Sequence, residues 1–183
     1  MARKVFVSSG HSNVANGDKG AFANGYFEGD LTIEFRNILT KELQILGVSW
    51  STDPDVNALK QTLDYIKGKF FPSDILIDIH FNAGGGTGME VIIPNVSTPF
   101  EKQLAQRIAD VINNVTGLKK RNGGVKSESE TARKTLGWMR PNSENILIEM
   151  CFIDNKTDMM VYQQNKYRLS KEIAKTLFDF SKI

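Results

Sequence analysis

Three runs of mainly apolar residues constrain the fold of this chain more than any other feature of its sequence. They occur within "KVFVSS" (residues 4–9), "DILIDIH" (residues 74–80) and "NILIEMCFIDN" (residues 145–155). Near-continuous apolar runs of this length are typical of strands that are buried on both faces. Such strands need cover on each side, so the runs predict a sheet that lies between two layers of helices.

Segments with apolar residues at helical spacing separate these strands. They predict helices over residues 30–46, 56–70, 98–116 and 167–180, and shorter apolar runs predict further strands at 48–52 and 88–94. The third helix has the clearest start, because Thr98, Pro99 and Glu101 match a capping box with proline at the first helical position. Residues 118–145 are polar and are predicted to be irregular, with a turn at "RNGGVK". The alternation predicts one α/β domain over residues 1–183, in which a mixed, mostly parallel sheet has helices on both faces.

Charge and hydropathy narrow the set of partners. The chain has 183 residues and a net charge of +2, so it lacks the strong basic field that is typical of nucleic-acid-binding proteins. No stretch approaches the ~18 consecutive apolar residues of a membrane span. No run near the N-terminus reaches the apolar core of about 7–15 residues that a secretory signal has. We therefore expect no nucleic-acid partner, no membrane insertion, and either synthesis in the cytoplasm without a signal or a mature secreted form.

The chain has only two histidines, His11 and His80, and both follow apolar runs. Ligands of this class of sheet bind at the strand ends and in the loops that follow them. A single histidine at such a position is more often a structural residue, but two in matching positions favour a shared binding site. The polar segment from His11 to Gly29 predicts a long loop, and loops of that length in a compact domain are usually functional.

Glu149 lies in the middle of the third apolar run, where burial of a carboxylate costs free energy unless a charge or hydrogen bonds compensate. One interpretation is a buried ion pair with an arginine such as Arg140. The other is a divalent cation beside Glu149. Histidine nitrogen and carboxylate oxygen suit Zn²⁺, and catalytic zinc sites combine three protein ligands with a position for water. A second carboxylate, not bound to the metal, could then accept a proton from that water.

Two acidic residues compete for the position of third ligand. Glu28 falls in the predicted loop, where a metal at the strand ends can reach it, whereas Glu34 falls one turn inside the predicted helix. Glu28 is preferred because functional residues concentrate in loops. Asp78 should point to the same face of its strand as His80, since side chains alternate. It is either a hydrogen-bond partner that orients a histidine or a structural aspartate.

Three blocks of sequence together resemble a known family: "GHSNVANGDKGAFANGYFEGDLTIEF", "IDIHFNAGGGTGMEV" and "ILIEMCFIDN". The chain resembles the zinc-dependent N-acetylmuramoyl-L-alanine amidases of the amidase-3 family, which hydrolyse the amide between N-acetylmuramic acid and the L-alanine of the peptidoglycan stem peptide. The resemblance implies that His11, Glu28 and His80 bind Zn²⁺ and that Glu149 is the catalytic residue. It also implies that Asn82 holds the site loop or contacts the substrate, with a structural role left open.

The residues themselves leave two other functions open. The same site could cut a peptide bond in the stem, as a zinc peptidase, or the chain could be a wall-binding module without turnover, although Glu149 argues against the latter. The resemblance implies peptidoglycan as the partner of a monomeric enzyme. It is compatible with a phage lysin or other lytic enzyme made in the cytoplasm, and with a secreted autolysin.

Overall fold

The computed structural model describes residues 2–14 and 17–183. In chain order, the strands are β1 (Val5–Ser8), β2 (Phe22–Ala23), β3 (Tyr26–Phe27), β4 (Trp50–Ser51), β5 (Ile75–Asn82), β6 (Met89–Ile93), β7 (Lys120–Ser127) and β8 (Glu144–Phe152). The α-helices are α1 (Glu28–Ile45), α2 (Leu59–Ile66), α3 (Pro99–Thr116) and α4 (Lys156–Ser181). Two short 3-10 turns lie at Glu128–Glu130 and Gly137–Met139.

Six strands form the main sheet in the order β4-β1-β5-β8-β6-β7. β6 and β8 run antiparallel, and the other pairs of neighbouring strands run parallel. β5 and β8, which contain the two longest apolar runs, therefore lie in the middle of the sheet. The mixed, mostly parallel sheet predicted from the sequence is confirmed.

The two faces of the sheet have different covers. Side chains such as Ile77 and Ile148 point into the larger core, to which α1, α3 and α4 contribute. Their neighbours along the strands, such as Leu76 and Leu147, point the other way and pack with Trp138 in a smaller core beside α2. Helices on both faces thus complete the predicted three layers.

α1 begins earlier than the sequence predicts, at Glu28 rather than after Asp30. The preceding loop contains the hairpin of β2 and β3, whose turn residues Asn24 and Gly25 have positive φ angles of 51° and 82°. This hairpin leads directly into the helix, so Glu28 lies in the first helical turn and not in a loop. Residues 15 and 16 of the predicted loop lie outside the described residues.

The prediction that residues 118–145 are irregular is wrong for residues 120–127. These residues form β7, which pairs with β6. Asn122 and Gly123 have positive φ angles of 49° and 75°, and the register with β6 shifts at this point. The sequence pattern of a turn here forms a bulge within a strand.

α4 also begins well before its predicted start at Tyr167. Asn155 caps it by accepting hydrogen bonds from the backbone N–H groups of Thr157 and Asp158 at 3.0 and 3.1 Å. The first half of α4 is polar, with Met159 as one of its few buried apolar residues, so apolar spacing alone does not predict it.

Candidate metal centre and its surroundings

Three titratable side chains lie side by side across the middle of the sheet. In the strand register, His80 of β5 is opposite Glu149 of β8, and Glu149 is opposite Glu90 of β6. Because side chains alternate along a strand, all three point to the face of the smaller core. Residues paired in this way have Cα atoms about 5 Å apart. The row therefore brings His80 and Glu149 together near the carboxyl ends of their strands.

His11, Glu28 and His80 converge beside this row. One potential ligand atom from each lies within 4.8 Å of the other two. Oε1 of Glu28 is 3.3 Å from Nε2 of His11 and 3.2 Å from Nδ1 of His80. Donors held by one tetrahedral Zn²⁺ at 2.0–2.1 Å lie about 3.3 Å from one another. The distances from Glu28 to the two histidine nitrogens match this spacing, and all three donors lie within 4.8 Å of one another.

Two glycines leave room for this convergence. Gly10 has a φ of 68°, and a Cβ atom there would lie 2.4 Å from the carbonyl oxygen of Ile79 and 2.6 Å from Nε2 of His80. Gly20 has a φ of 67°, and a Cβ atom there would lie 2.4 Å from Oε2 of Glu28. Positive φ angles and close approaches of this kind favour glycine. Any larger residue at these positions would push the ligand side chains apart.

Backbone donors orient the carboxylate of Glu28, which is 5% exposed. The N–H of Phe81 donates to Oε1 at 3.0 Å, and the N–H of Ala21 donates to Oε2 at 2.9 Å. Burial alone would raise the pKa of Glu28, but the hydrogen bonds and the charges of His11 and His80 lower this pKa well below its usual value. Glu28 is therefore an anion at neutral pH, in the form that binds a metal.

Each histidine has an acidic residue beside its other ring nitrogen. Nε2 of His80 is 3.0 Å from Oδ2 of Asp78, and Nδ1 of His11 is 3.3 Å from Oδ1 of Asp18. Burial alone would lower the pKa of His80, but the charge and hydrogen bond of Asp78, together with Glu28, raise this pKa well above its usual value. Carboxylates in this position orient metal-binding histidines and make them more basic. The position of Asp78 fits the orienting role, one of the two roles that the sequence leaves open for it.

The sequence left Glu34 open as the third metal ligand and Arg140 open as the ion-pair partner of Glu149. In the structure, both residues form ion pairs with other residues. Oε1 of Glu34 is 2.5 Å from Nζ of Lys166 on α4, and Glu34 is not part of the group formed by the two histidines. Arg140 forms its ion pair with Glu128, and among the described residues it forms none with Glu149.

Glu149 is half-buried, and its Oε2 atom has no hydrogen-bond partner among the described residues. Burial raises the pKa of Glu149 to about 7; the charge of His80 opposes this shift, and the charges of Glu28 and Glu90 add to it. A carboxyl group that titrates near neutral pH can both accept a proton and return it. Glu149 therefore has the proton affinity that a general base requires, and it lies opposite His80 in the strand register.

Glu90 is a buried carboxylate that the sequence analysis did not single out. It is 1% exposed, and its Oε1 accepts hydrogen bonds from Nδ2 of Asn82 at 3.0 Å and from Nζ of Lys126 at 2.7 Å. Asn82 therefore ties the end of β5 to β6. Glu90 lies in the apolar run "MEVII", so the reasoning that singled out Glu149 applies to it as well. Lys126 gives no such signal, because it lies in a polar segment.

The donor set of the cluster suits a divalent cation. Two imidazole nitrogens and one carboxylate oxygen, from His11, His80 and Glu28, are typical of catalytic zinc sites that keep a position for water. The unpaired Oε2 of Glu149 supports a polar occupant nearby, because a buried polar atom without a partner costs free energy.

Comparison with known proteins assigns the chain to a family. Residues 5–179 match the family described as N-acetylmuramoyl-L-alanine amidase. The chain belongs to this amidase family. The family assignment made from the three sequence blocks is thus confirmed.

Individual relatives agree with the assignment. The chain is 37% identical, over 103 residues, to the N-acetylmuramoyl-L-alanine amidase CwlM of Bacillus licheniformis, a match that covers 52% of this chain and 38% of CwlM. It is 28% identical over 197 residues to an uncharacterized 38.4 kDa protein of Clostridium perfringens, a match that covers 95% of this chain and 52% of that protein. The chain thus spans between about two fifths and half of the length of these curated relatives.

Solved structures share the fold. The N-acetylmuramoyl-L-alanine amidase from Clostridium difficile 630 superposes with a TM-score of 0.72 at 24% identity, covering 98% of this chain and 94% of that chain. The catalytic domain of the CD27L endolysin targeting Clostridia difficile superposes with a TM-score of 0.75 at 22% identity, covering 97% of both chains.

Within residues 2–14 and 17–183, no helix combines the length and the hydrophobicity that a membrane span requires.

Proposed function

We propose that this amidase hydrolyses the amide bond between N-acetylmuramic acid and L-alanine in peptidoglycan, with Zn²⁺ held by His11, Glu28 and His80. The observation that carries the proposal is the convergence of one donor atom from each of these residues within 4.8 Å, with Glu149 opposite His80 in the strand register. Family membership supports the reaction, and the donor set supports zinc.

The residues of the site have separate roles in the proposed hydrolysis. When bound, the ion would acidify a water molecule and polarise the amide carbonyl. Asp78 holds the imidazole of His80 by a hydrogen bond to Nε2, so that Nδ1 of His80 faces Glu28. Nε2 of His11 faces the same carboxylate. Glu149, opposite His80 in the strand register, takes the proton from the attacking water and passes it to the departing alanine nitrogen.

We also propose that residues 1–183 act as one catalytic domain in a monomer at the bacterial cell wall, where peptidoglycan lies. In support, the proposed ligands and the proposed base come from one sheet, the loop after β1 and the first turn of α1. The proposed reaction requires neither nucleic acid nor insertion into a membrane.

A digest of purified peptidoglycan with the zinc-loaded protein tests the reaction. We expect released stem peptides with free L-alanine amino termini, identified by mass spectrometry. Glu149→Gln should lower the rate by about 10²–10⁴-fold while the variant still binds one zinc per chain. Glu34→Gln is the control, because Glu34 pairs with Lys166, and it should retain the rate.

Other products would contradict the proposal in distinct ways. Cleavage within the stem peptide would identify a zinc peptidase. Binding to peptidoglycan without any released product would identify a wall-binding module. Hydrolysis that persists after a chelator has removed all metal would refute the role of the ion.

A further inference from the structure

A positively charged side chain, Arg121, lies on the β7 side of the candidate site, beside Glu90. Nε of Arg121 is buried, and no described residue accepts a hydrogen bond from it. The side chain as a whole is 37% exposed, so part of it reaches solvent. A buried N–H group without an acceptor costs free energy unless a ligand or water accepts from it. Arg121 therefore has donors available for an anionic ligand.

The nearby acid Glu90 does not use up these donors. Its carboxylate already accepts hydrogen bonds from Asn82, Lys126 and, at 3.1 Å, from Nδ2 of Asn122. Nε of Arg121 is 3.7 Å from Oε2 of Glu90, which is beyond hydrogen-bond distance. Lys126 neutralises Glu90 by direct contact at 2.7 Å, so the ion pair of Arg121 with Glu90 at 3.7 Å is the longer and weaker of the two.

The guanidinium group is held in place by its surroundings. It lies over the ring of Phe152, with Cζ of Arg121 4.7 Å from the ring centroid. On another side it meets Gly86, where an added Cβ atom would lie 3.0 Å from Nη1 of Arg121 and 2.4 Å from the ring of Phe152. Asn155 fixes this loop by donating from Nδ2 to the carbonyl oxygen of Gly86 at 3.0 Å. A side chain that is fixed in this way loses little conformational entropy when it binds a ligand.

The position of Arg121 relative to the reacting bond suggests which group it meets. Glu149 and Glu90 are opposite each other, so their Cα atoms are about 5 Å apart, and Arg121 lies beyond Glu90. In peptidoglycan the residue after L-alanine is an isoglutamate, whose α-carboxylate is free in some cell walls and amidated in others. One residue of extended chain spans about 3.5 Å, so this carboxylate lies roughly 7 Å from the scissile nitrogen.

We propose that Arg121 binds the α-carboxylate of the second stem residue and so makes the amidase prefer stems with isoglutamate over stems with isoglutamine. This inference rests on the proposed function. The planar guanidinium group can donate two parallel hydrogen bonds to a carboxylate. A carboxamide presents one oxygen and an N–H₂ group, whose hydrogens face the donors of Arg121, so its binding is weaker.

Two muropeptides that differ only in this carboxylate or carboxamide test the inference. The measured quantity is kcat/KM of the zinc-loaded protein on each, expressed as the ratio of acid to amide. We expect a ratio of about 10–100 for the wild type and a ratio near one for Arg121→Gln. Arg121→Lys keeps the positive charge but cannot donate two parallel hydrogen bonds, so it should give an intermediate ratio. Arg107→Gln is the matched control, because Arg107 is exposed on α3 in the opposite layer, and it should keep the wild-type ratio.

Two results would overturn the inference while leaving the proposed function intact. Arg121→Gln with an unchanged ratio would show that Arg121 does not contact this group. An equal loss on both muropeptides would show that Arg121 only supports the local structure. If the wild type cleaves neither muropeptide, the proposed function itself fails, and the inference fails with it.

Discussion

Glu28 is the residue on which the candidate metal centre depends most, because it contacts both histidines. Glu28→Gln should lower the affinity for Zn²⁺ by at least about 100-fold, since loss of a ligand should cost more than loss of the groups that orient one. Glu34→Gln should leave the affinity unchanged, because Glu34 forms an ion pair with Lys166. Calorimetric titration of the metal-free proteins measures both. Loss of zinc binding in the Glu34 variant alone would reverse the assignment.

His80 predicts a link between metal binding and pH. Its pKa is raised well above the usual value because the charge and hydrogen bonds of Asp78 and Glu28 outweigh the effect of burial. In the metal-free protein His80 therefore holds a proton at neutral pH, and Zn²⁺ must displace this proton because only the neutral imidazole binds metal. Zinc affinity should increase as the pH rises, until the pH exceeds the raised pKa.

Calorimetry in buffers of different ionisation enthalpy counts the released protons at about pH 6 and about pH 8. Each bound zinc should release a proton from His80 wherever the pH lies below the raised pKa of this residue. Zinc affinity that is independent of pH over this range, with no proton release, would contradict the predicted state of His80.

Among the individual residues of the candidate site, the sequence indicates most and fails to indicate Glu90 and Arg121. His11 and His80 stand out because they follow buried strands, and Glu149 stands out because a charge within an apolar run is costly. Glu90 carries the same signal without being recognised. Arg121 gives no such signal because its segment is polar. A polar segment that lines a binding site cannot be told from an exposed loop by its composition.

Among the elements, α3 follows most directly from local sequence. Thr98 accepts a hydrogen bond from the N–H of Glu101 at 3.0 Å, and the side chain of Glu101 accepts one from the N–H of Thr98 at 2.8 Å. Thr98→Ala should lower the free energy of unfolding by about 1 kcal/mol, measured by chemical denaturation. Thr98→Ser retains the hydroxyl and should be nearly neutral. Equal stability of the alanine variant and the wild type would show that the cap contributes nothing.

The loop after β1 depends on a close approach that no local pattern reveals. Gly10 and Gly47 have similar φ angles of 68° and 71°. A Cβ atom added at Gly10 would lie 2.4 Å from the carbonyl oxygen of Ile79, whereas one added at Gly47 would have no neighbour within 4 Å. Gly47→Ala should cost about 1–2 kcal/mol of stability from backbone strain alone. Gly10→Ala should cost more and should also weaken zinc binding, because it displaces the loop that contains His11.

Chemical denaturation and zinc titration of the two glycine variants separate strain from crowding. If Gly10→Ala matched Gly47→Ala in both measurements, the packing of this loop against β5 would not be needed for the centre.

β7 and the first half of α4 show why other elements escape prediction. The bulge at Asn122 and Gly123 has the composition of a turn, and only its pairing with β6 makes it part of a strand. α4 begins at the cap formed by Asn155, but its first turns are polar and gain stability from contacts with the rest of the chain. Both depend on partners that are distant in sequence.

At the scale of the whole molecule, the alternation of strands and helices indicates the layers but not the order of the strands. The order places β5 between β1 and β8, which brings His11, His80 and Glu149 to one end of the sheet. The antiparallel pairing of β8 with β6 adds Glu90 to the same row. No local sequence feature specifies this pairing, because it arises from packing between distant segments.

Anomalous diffraction at the zinc edge, from crystals of the zinc-loaded protein, tests the central claim most directly. The claim predicts one strong peak per chain, at about 2.0–2.2 Å from a nitrogen of His11, a nitrogen of His80 and an oxygen of Glu28. A peak bound by other residues, or none between these three side chains in a protein that contains stoichiometric zinc, would contradict it.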